Sequence, residues 1–165
     1  PVKSFMDLVL EIKPTQVTLV PDKDNAITST AGWDTIKHNS FLKEVIQEFQ
    51  QNGIRTSIFI DTNTSFIEAA AKIGTDRIEL YTEYFASEFE KGNKEAIKSY
   101  TEAAILAHKL GLGINAGHDL SLKNIEFFKQ NIPNLDEVSI GHALIAESLY
   151  LGLENVVNMY IHRLQ

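Results

Sequence analysis

Two Gly–His pairs stand out as places where chemistry could be done. Gly117-His118 follows the run Ile114-Asn115-Ala116, and Gly141-His142 follows Val138-Ser139-Ile140 one unit later. Glycine lets a backbone come close to a ligand, and imidazole supplies an acid, a base or a hydrogen bond near neutral pH. Taken singly, either pair also fits a turn glycine beside a histidine that merely caps a loop. The repeated placement favours function. Glu79 is a third candidate, lying between Ile78 and Leu80 inside a β-type run, so that its carboxylate projects away from both neighbours. A carboxylate in a strand interior costs free energy unless it is paired or exposed. Glu79 is therefore either an edge-strand residue facing water or a carboxylate aimed into the mouth of a barrel, its proton affinity set by burial and neighbours.

Other polar residues have simpler explanations. Asp22 and Asp61 follow strand ends, where capping or loop roles are expected. Lys23 could form a Schiff base or bind phosphate, although a solvated loop lysine is the commoner case. Thr28, in Thr28-Ser29-Thr30-Ala31-Gly32, could bond a ligand hydroxyl or phosphate or simply belong to a turn. His38, His108 and His162 lie in helical or helix-flanking polar sequence and are expected to be solvated. No glycine-rich dinucleotide or phosphate loop, zinc-protease helix or nucleophile elbow is present, and no group of His, Asp and Glu has metal spacing.

Five short β-type runs, each followed by a helical pattern, must position these residues. They are Gln16–Val20, Thr56–Ile60, Arg77–Tyr81, Gly113–Ala116 and Glu137–Ile140. Phe41, Leu42, Val45, Ile46 and Phe49 form one apolar helix stripe, and Ala96, Ile97, Tyr100, Ala104 and Ala107 another. Gly53, Gly74 and Gly111 fall where helices end in a left-handed residue. Ser65-Phe66-Ile67-Glu68 has capping-box spacing, and Pro133-Asn134 breaks the chain before the last strand. Such alternation predicts an α/β fold with a mostly parallel sheet and right-handed crossovers, in a single domain over 1–165. Periodicity leaves open a doubly wound sheet or most of an eight-stranded barrel, which usually needs about 250 residues. In either case ligands bind beyond the carboxyl ends of the strands, where this sequence turns polar or glycine-containing after every run.

Composition narrows the class. The 165 residues carry 15 Lys and Arg against 22 Asp and Glu, a net charge of −7, which argues against a general nucleic-acid or anionic-membrane binder. Small anions remain possible, because backbone N–H groups bind phosphate whatever the overall charge. With no cysteine, disulfides, thiolate zinc and cysteine nucleophiles are excluded. No apolar run has membrane-helix length, and Pro1-Val2-Lys3-Ser4 has no signal-peptide form. The expectation is a soluble, cytoplasmic protein, and with Pro1 rather than an initiator methionine at its head the chain need not start where its gene does.

In order and spacing, several motifs together resemble the pyridoxine 5′-phosphate synthase family. They are Leu19-Val20-Pro21-Asp22-Lys23, Ile27-Thr28-Ser29-Thr30-Ala31-Gly32-Trp33-Asp34, Ser57-Ile58-Phe59-Ile60-Asp61, Ile78-Glu79-Leu80-Tyr81-Thr82, Ile114-Asn115-Ala116-Gly117-His118 and Ile140-Gly141-His142-Ala143. The resemblance spans almost the whole chain. It implies a (βα)8 TIM barrel of which this chain supplies strands four to eight. It also implies a homo-oligomer that condenses 1-deoxy-D-xylulose 5-phosphate with 3-amino-2-oxopropyl phosphate. The products are pyridoxine 5′-phosphate, inorganic phosphate and water, and neither metal nor organic cofactor is implied.

Carried over residue by residue, the resemblance makes His118 the catalytic proton donor and Glu79 a glutamate that stabilises charged intermediates. Thr28 would contact the deoxyxylulose phosphate, while Gly141 and His142 would form a backbone site for the aminoketone phosphate. Asp119 stands where the family typically has a glycine whose backbone contacts that phosphate. The family's other histidine and glutamate proton acceptors have no counterpart in this chain, so these 165 residues alone are expected to be inactive. Two rivals stand beside this reading. One is a non-catalytic open α/β module that binds phosphate esters. The other is an aldolase- or isomerase-type barrel, which would want a strand-borne lysine or a metal cluster.

Overall fold

A computed structural model describes residues 1–22, 26 and 28–165. Lys23 therefore lies outside the described residues. The chain runs α1 (Lys3–Ile12), β1 (Gln16–Leu19), α2 (Asn39–Gln51), β2 (Arg55–Ile60), α3 (Thr64–Ile73), β3 (Arg77–Tyr81) and α4 (Glu83–Glu90). A short 3-10 turn (Lys94–Ala96) then leads to α5 (Ile97–Lys109), β4 (Gly113–Gly117), α6 (Ile125–Asn131), β5 (Leu135–Ser139), α7 (His142–Leu151) and α8 (Leu153–Leu164). All five strands are parallel and lie in sequence order β1-β2-β3-β4-β5.

Parallel neighbours joined in sequence order by right-handed crossovers place every connecting helix on the same face. The packing agrees, with α2 against α3, α3 against α5, α5 against α6 and α6 against α8. Residues at alternate strand positions serve that face. Val17, Leu19, Ile58, Ile60, Ile78, Leu80, Ile114 and Ala116 are buried with Leu42, Ile46 and Phe49 of α2, Ile67 of α3 and Ala104 of α5. The second predicted apolar stripe is buried throughout and the first is buried except for Phe41, which is exposed on the outer side of α2 beside Trp33. Gly53, Gly74 and Gly111 all have positive φ. The helix-capping residue of α3 is Asn63, whose side chain accepts from the Ser65 N–H at 3.0 Å, two residues before the predicted Ser65.

The opposite face is largely polar, because the intervening positions of successive strands carry Gln16, Thr18, Arg55, Ser57, Arg77, Glu79, Asn115, Glu137 and Ser139, with Phe59 and Tyr81 as an aromatic pair toward the carboxyl end. It is also concave. Four strand spacings separate β1 from β5, about 19 Å in a flat sheet. Yet Gln16 Nε2 of β1 lies 3.4 Å from Glu137 Oε2 of β5, and Arg55 Nη2 lies 2.6 Å from Glu137 Oε1. Side chains of this length meet only if the sheet curls toward them. Arg77 joins the group through Asn115 Oδ1 at 2.8 Å and Glu137 Oε1 at 3.4 Å, closing the amino end of the trough with a charged floor.

β5 starts two residues before its predicted position. Ile114 pairs with Leu135 but Asn115 with Glu137, so Asp136 is an extra residue in a bulge. Its carboxylate accepts the Ile114 N–H at 2.8 Å, which keeps that strand donor satisfied. Three elements escaped the sequence reading. α1 packs Phe5 against Phe49, α4 contributes the Phe85–Phe89 pair, and α8 buries Val156 and Tyr160. Among the described residues no helix is long and apolar enough to cross a membrane.

Candidate functional site

At the carboxyl ends of the strands, on the concave face, the sequence-predicted residues converge. β4 ends at Gly117, where an added Cβ would lie 2.4 Å from the Ser139 carbonyl oxygen and 3.1 Å from Glu79 Oε1. Glycine is therefore required there by the close approach of β4 to β5. His118 follows in the left-handed region, φ 84°, with its N–H donating to the Ser139 carbonyl at 3.1 Å. That conformation costs an L-residue about 1–2 kcal/mol and is found where surrounding contacts enforce it. The imidazole packs edge-on against Tyr81, with centroids 5.7 Å apart, and near Phe59 and His142.

Both ring nitrogens of His118 have partners. Nε2 lies 2.6 Å from Thr28 Oγ1 and Nδ1 lies 2.7 Å from Asp119 Oδ2. The Thr28 loop is fastened to the sheet at several points. Gly32 donates its N–H to Asp61 Oδ2 at 3.1 Å, and a Cβ at Gly32 would lie 2.5 Å from the Ile60 Cα. Trp33 donates through its backbone N–H to the Phe59 carbonyl at 2.9 Å and through Nε1 to the Leu19 carbonyl at 3.0 Å. Asp22 accepts from Ser29 Oγ at 2.6 Å, so both aspartates have the loop roles expected of them.

Glu79 is no edge residue. β3 is the central strand, and the side chain is 7% exposed, with Thr18 Oγ1 donating to Oε2 at 3.1 Å. Burial pushes its carboxyl above the usual range. Hydrogen bonds from the Thr18 and Ser139 hydroxyls and the nearby His118 oppose that rise only in part. Tyr81 is raised as well, first by burial and then by the negative charges of Asp119, Glu83, Asp61 and Asp22 around the mouth.

The second Gly–His pair differs from the first. Gly141 precedes α7 with φ −106°, and no atom of the described residues lies within 4 Å of a Cβ built there, so their packing does not demand glycine. His142 opens α7 and is exposed, its ring 6.4 Å from that of His118. The Asp119 N–H donates to Thr82 Oγ1 at 3.2 Å. Of the other histidines, His108 and His162 are exposed as expected. His38 is instead half-buried, edge-on to Trp33 at 5.3 Å, because the Trp33 loop folds back over the start of α2. Among the described residues no three His, Asp or Glu side chains are arranged to hold a metal ion.

Sequence reasoning passed over Thr18, Tyr81 and Thr82. The available signal was period two: Tyr81 lies two positions beyond Glu79 on one face, and Thr18 shares that face on β1, in register through Ser57 with Arg77.

The family model described as pyridoxal phosphate biosynthesis protein PdxJ matches residues 1–165. Proteins named pyridoxine 5′-phosphate synthase from Christiangramia forsetii and Flavobacterium johnsoniae are 67% and 70% identical over all 165 residues. This chain spans 70% of the length of each. One of the same name from Cytophaga hutchinsonii is 59% identical and is spanned to 69%. Among solved structures, a chain of the Amycolatopsis orientalis BexX/CysO complex superposes with a TM-score of 0.58 at 16% identity, covering 96% of this chain and 59% of that one. That likeness concerns the fold alone.

Proposed function

Because this chain belongs to the PdxJ family of pyridoxal phosphate biosynthesis proteins, we propose that it supplies part of the active site of a pyridoxine 5′-phosphate synthase. The proposed reaction condenses 1-deoxy-D-xylulose 5-phosphate with 3-amino-2-oxopropyl phosphate. The aminoketone brings its own amine for imine formation, so no nucleophilic lysine is needed. What remains is proton transfer, expulsion of phosphate, ring closure and loss of water, work for general acids and bases in a sheltered site. What carries the proposal is the meeting of His118, Thr28 and the buried Glu79 on one concave strand end.

In this reading His118 gives and takes protons at Nε2, and Thr28 Oγ1 contacts the sugar phosphate substrate. Glu79, held protonated to higher pH than an ordinary carboxyl, stabilises charge that develops beside it. Gly141 and His142 offer the open first turn of α7 to the aminoketone phosphate, since a helix N-terminus favours an anion. The sequential parallel order and the curl that joins β1 to β5 support a segment of a (βα)8 barrel, strands four to eight. Exposed Ile145, Leu149, Tyr150, Leu153 and Ile161 on α7 and α8 support association into a homo-oligomer. The same reading places the protein in the cytoplasm.

In the full-length protein, His118→Ala is expected to lower kcat by about 10²–10⁴-fold. Unchanged turnover would remove His118 from the chemistry. If the unsubstituted full-length protein bound both phosphate esters in calorimetry but turned neither over, the non-catalytic module would replace the synthase.

A further inference from the structure

We propose that Asp119 is a positioning residue for His118. Its carboxylate fixes the imidazole tautomer that leaves Nε2, on the Thr28 side, as the atom that exchanges protons. The inference rests on the synthase reading for its kinetics, and on geometry for the rest.

The three groups form a line of carboxylate, imidazole and hydroxyl, at 2.7 Å on one side of the ring and 2.6 Å on the other. An ionised carboxylate can only accept, so the hydrogen between Asp119 and the ring belongs to Nδ1. The lone pair of the neutral ring then lies at Nε2, facing Thr28 Oγ1 and the open mouth. Without the carboxylate no other described residue on the Nδ1 side selects between tautomers, and the ring is free to carry its proton toward Thr28.

The pair does not depend on a loose loop. The Asp119 N–H donates to Thr82 Oγ1, and the Asp119 carbonyl accepts from Asn124 Nδ2 at 3.4 Å. The Thr82 hydroxyl in turn donates to the Gly117 carbonyl. Thr82 is fully buried and Asn124 nearly so. His118 is anchored separately through its N–H on Ser139. Backbone on both sides of the contact is therefore held, and both side chains are largely shielded, with 22% and 28% of their surfaces exposed. The left-handed turn at His118 has a purpose in this arrangement, because it folds the ring back over the next residue's carboxylate.

The test uses the full-length protein with ¹⁵N-labelled histidine. The His118 ring nitrogens of the unsubstituted protein are expected to show the Nδ1–H tautomer, a measurement that needs neither turnover nor a variant. A resting Nε2–H tautomer overturns the assignment. In Asp119→Ala the Nε2–H form should appear. Its kcat should fall about 10–100-fold, as when the outer-shell partner of a histidine is removed, while KM for both substrates stays within about twofold. A raised KM with unchanged kcat would instead make Asp119 a substrate contact and overturn the proposal. If the unsubstituted protein made no product, the synthase reading would fail while the ¹⁵N signature still decided the role of Asp119.

Discussion

The two ends of the concave face use the same kinds of side chain to opposite effect. At the floor, Arg55, Arg77, Gln16, Asn115 and Glu137 meet one another, and each charge has a partner from another strand. At the mouth, Glu79 is buried beside the Thr18 and Ser139 hydroxyls, and His118 stands on strained backbone between a hydroxyl and a carboxylate. Partially exposed ion pairs between strands mainly stitch the curl together. Buried, incompletely compensated groups cost stability but keep protons exchangeable. The lesson is that ion pairs join distant strands where the sheet needs holding, whereas at the mouth the charged contact lies between chain neighbours, His118 and Asp119, and a buried carboxyl is met by hydroxyls.

Substitutions at three positions test that division, from the largest effect to the smallest. Glu79→Gln keeps shape and removes the proton, so turnover in the full-length protein should fall about 10²-fold. Its stability should also respond differently to pH. A carboxyl raised on folding contributes stability that is fully present below its unfolded value and is lost as pH rises through the raised folded value. Urea titrations from acid to neutral pH should show that decline in the parent and not in Glu79→Gln. Parallel curves would mean that burial at Glu79 is fully compensated and that the mouth resembles the floor.

Glu137→Ala takes the shared acid from Arg55 and Arg77. Unfolding free energy should drop by about 1–2 kcal/mol, a value moderated by the partial exposure of the network, with kcat per folded molecule unchanged. A loss of turnover without a loss of stability would reverse the two assignments. His118→Gly compared with His118→Ala isolates the backbone strain. Both lose the imidazole, but glycine adopts φ 84° freely and should be more stable by about 1 kcal/mol. Equal midpoints in thermal unfolding would show that the turn stores no strain.

Much of this division was visible in the sequence. The strand runs, the polar residues after them and the Gly–His pairs locate the mouth, because a strand's period and a turn's chemistry are local properties. Glu79 was ambiguous for the opposite reason. Whether a strand lies at an edge or in the centre depends on pairing with distant segments, and only the order β1-β2-β3-β4-β5 settles it. The floor went unread although Gln16, Arg55, Arg77 and Glu137 sit at alternate positions of their strands, since no local rule says that residues 121 apart will touch. The early start of β5 was hidden because Asp136 substitutes a side-chain acceptor for strand pairing. Gly117 and Gly141 look alike in sequence, yet among the described residues only the first is compelled by packing, a distinction of neighbours rather than of residue type.

The span of the floor also has a bearing on synthesis. Arg55 reaches the exit of the ribosome 82 residues before the glutamate it pairs with, a delay of about 4–16 s at ordinary elongation rates. Throughout that interval the first strands carry a cation facing water on what will become the inside of the curl. A nascent sheet with such a face has little reason to bend prematurely or to stack on a neighbour's apolar surface. The arrival of β5 supplies the acid that draws the arc together, so the last strand of this sheet acts as its clasp.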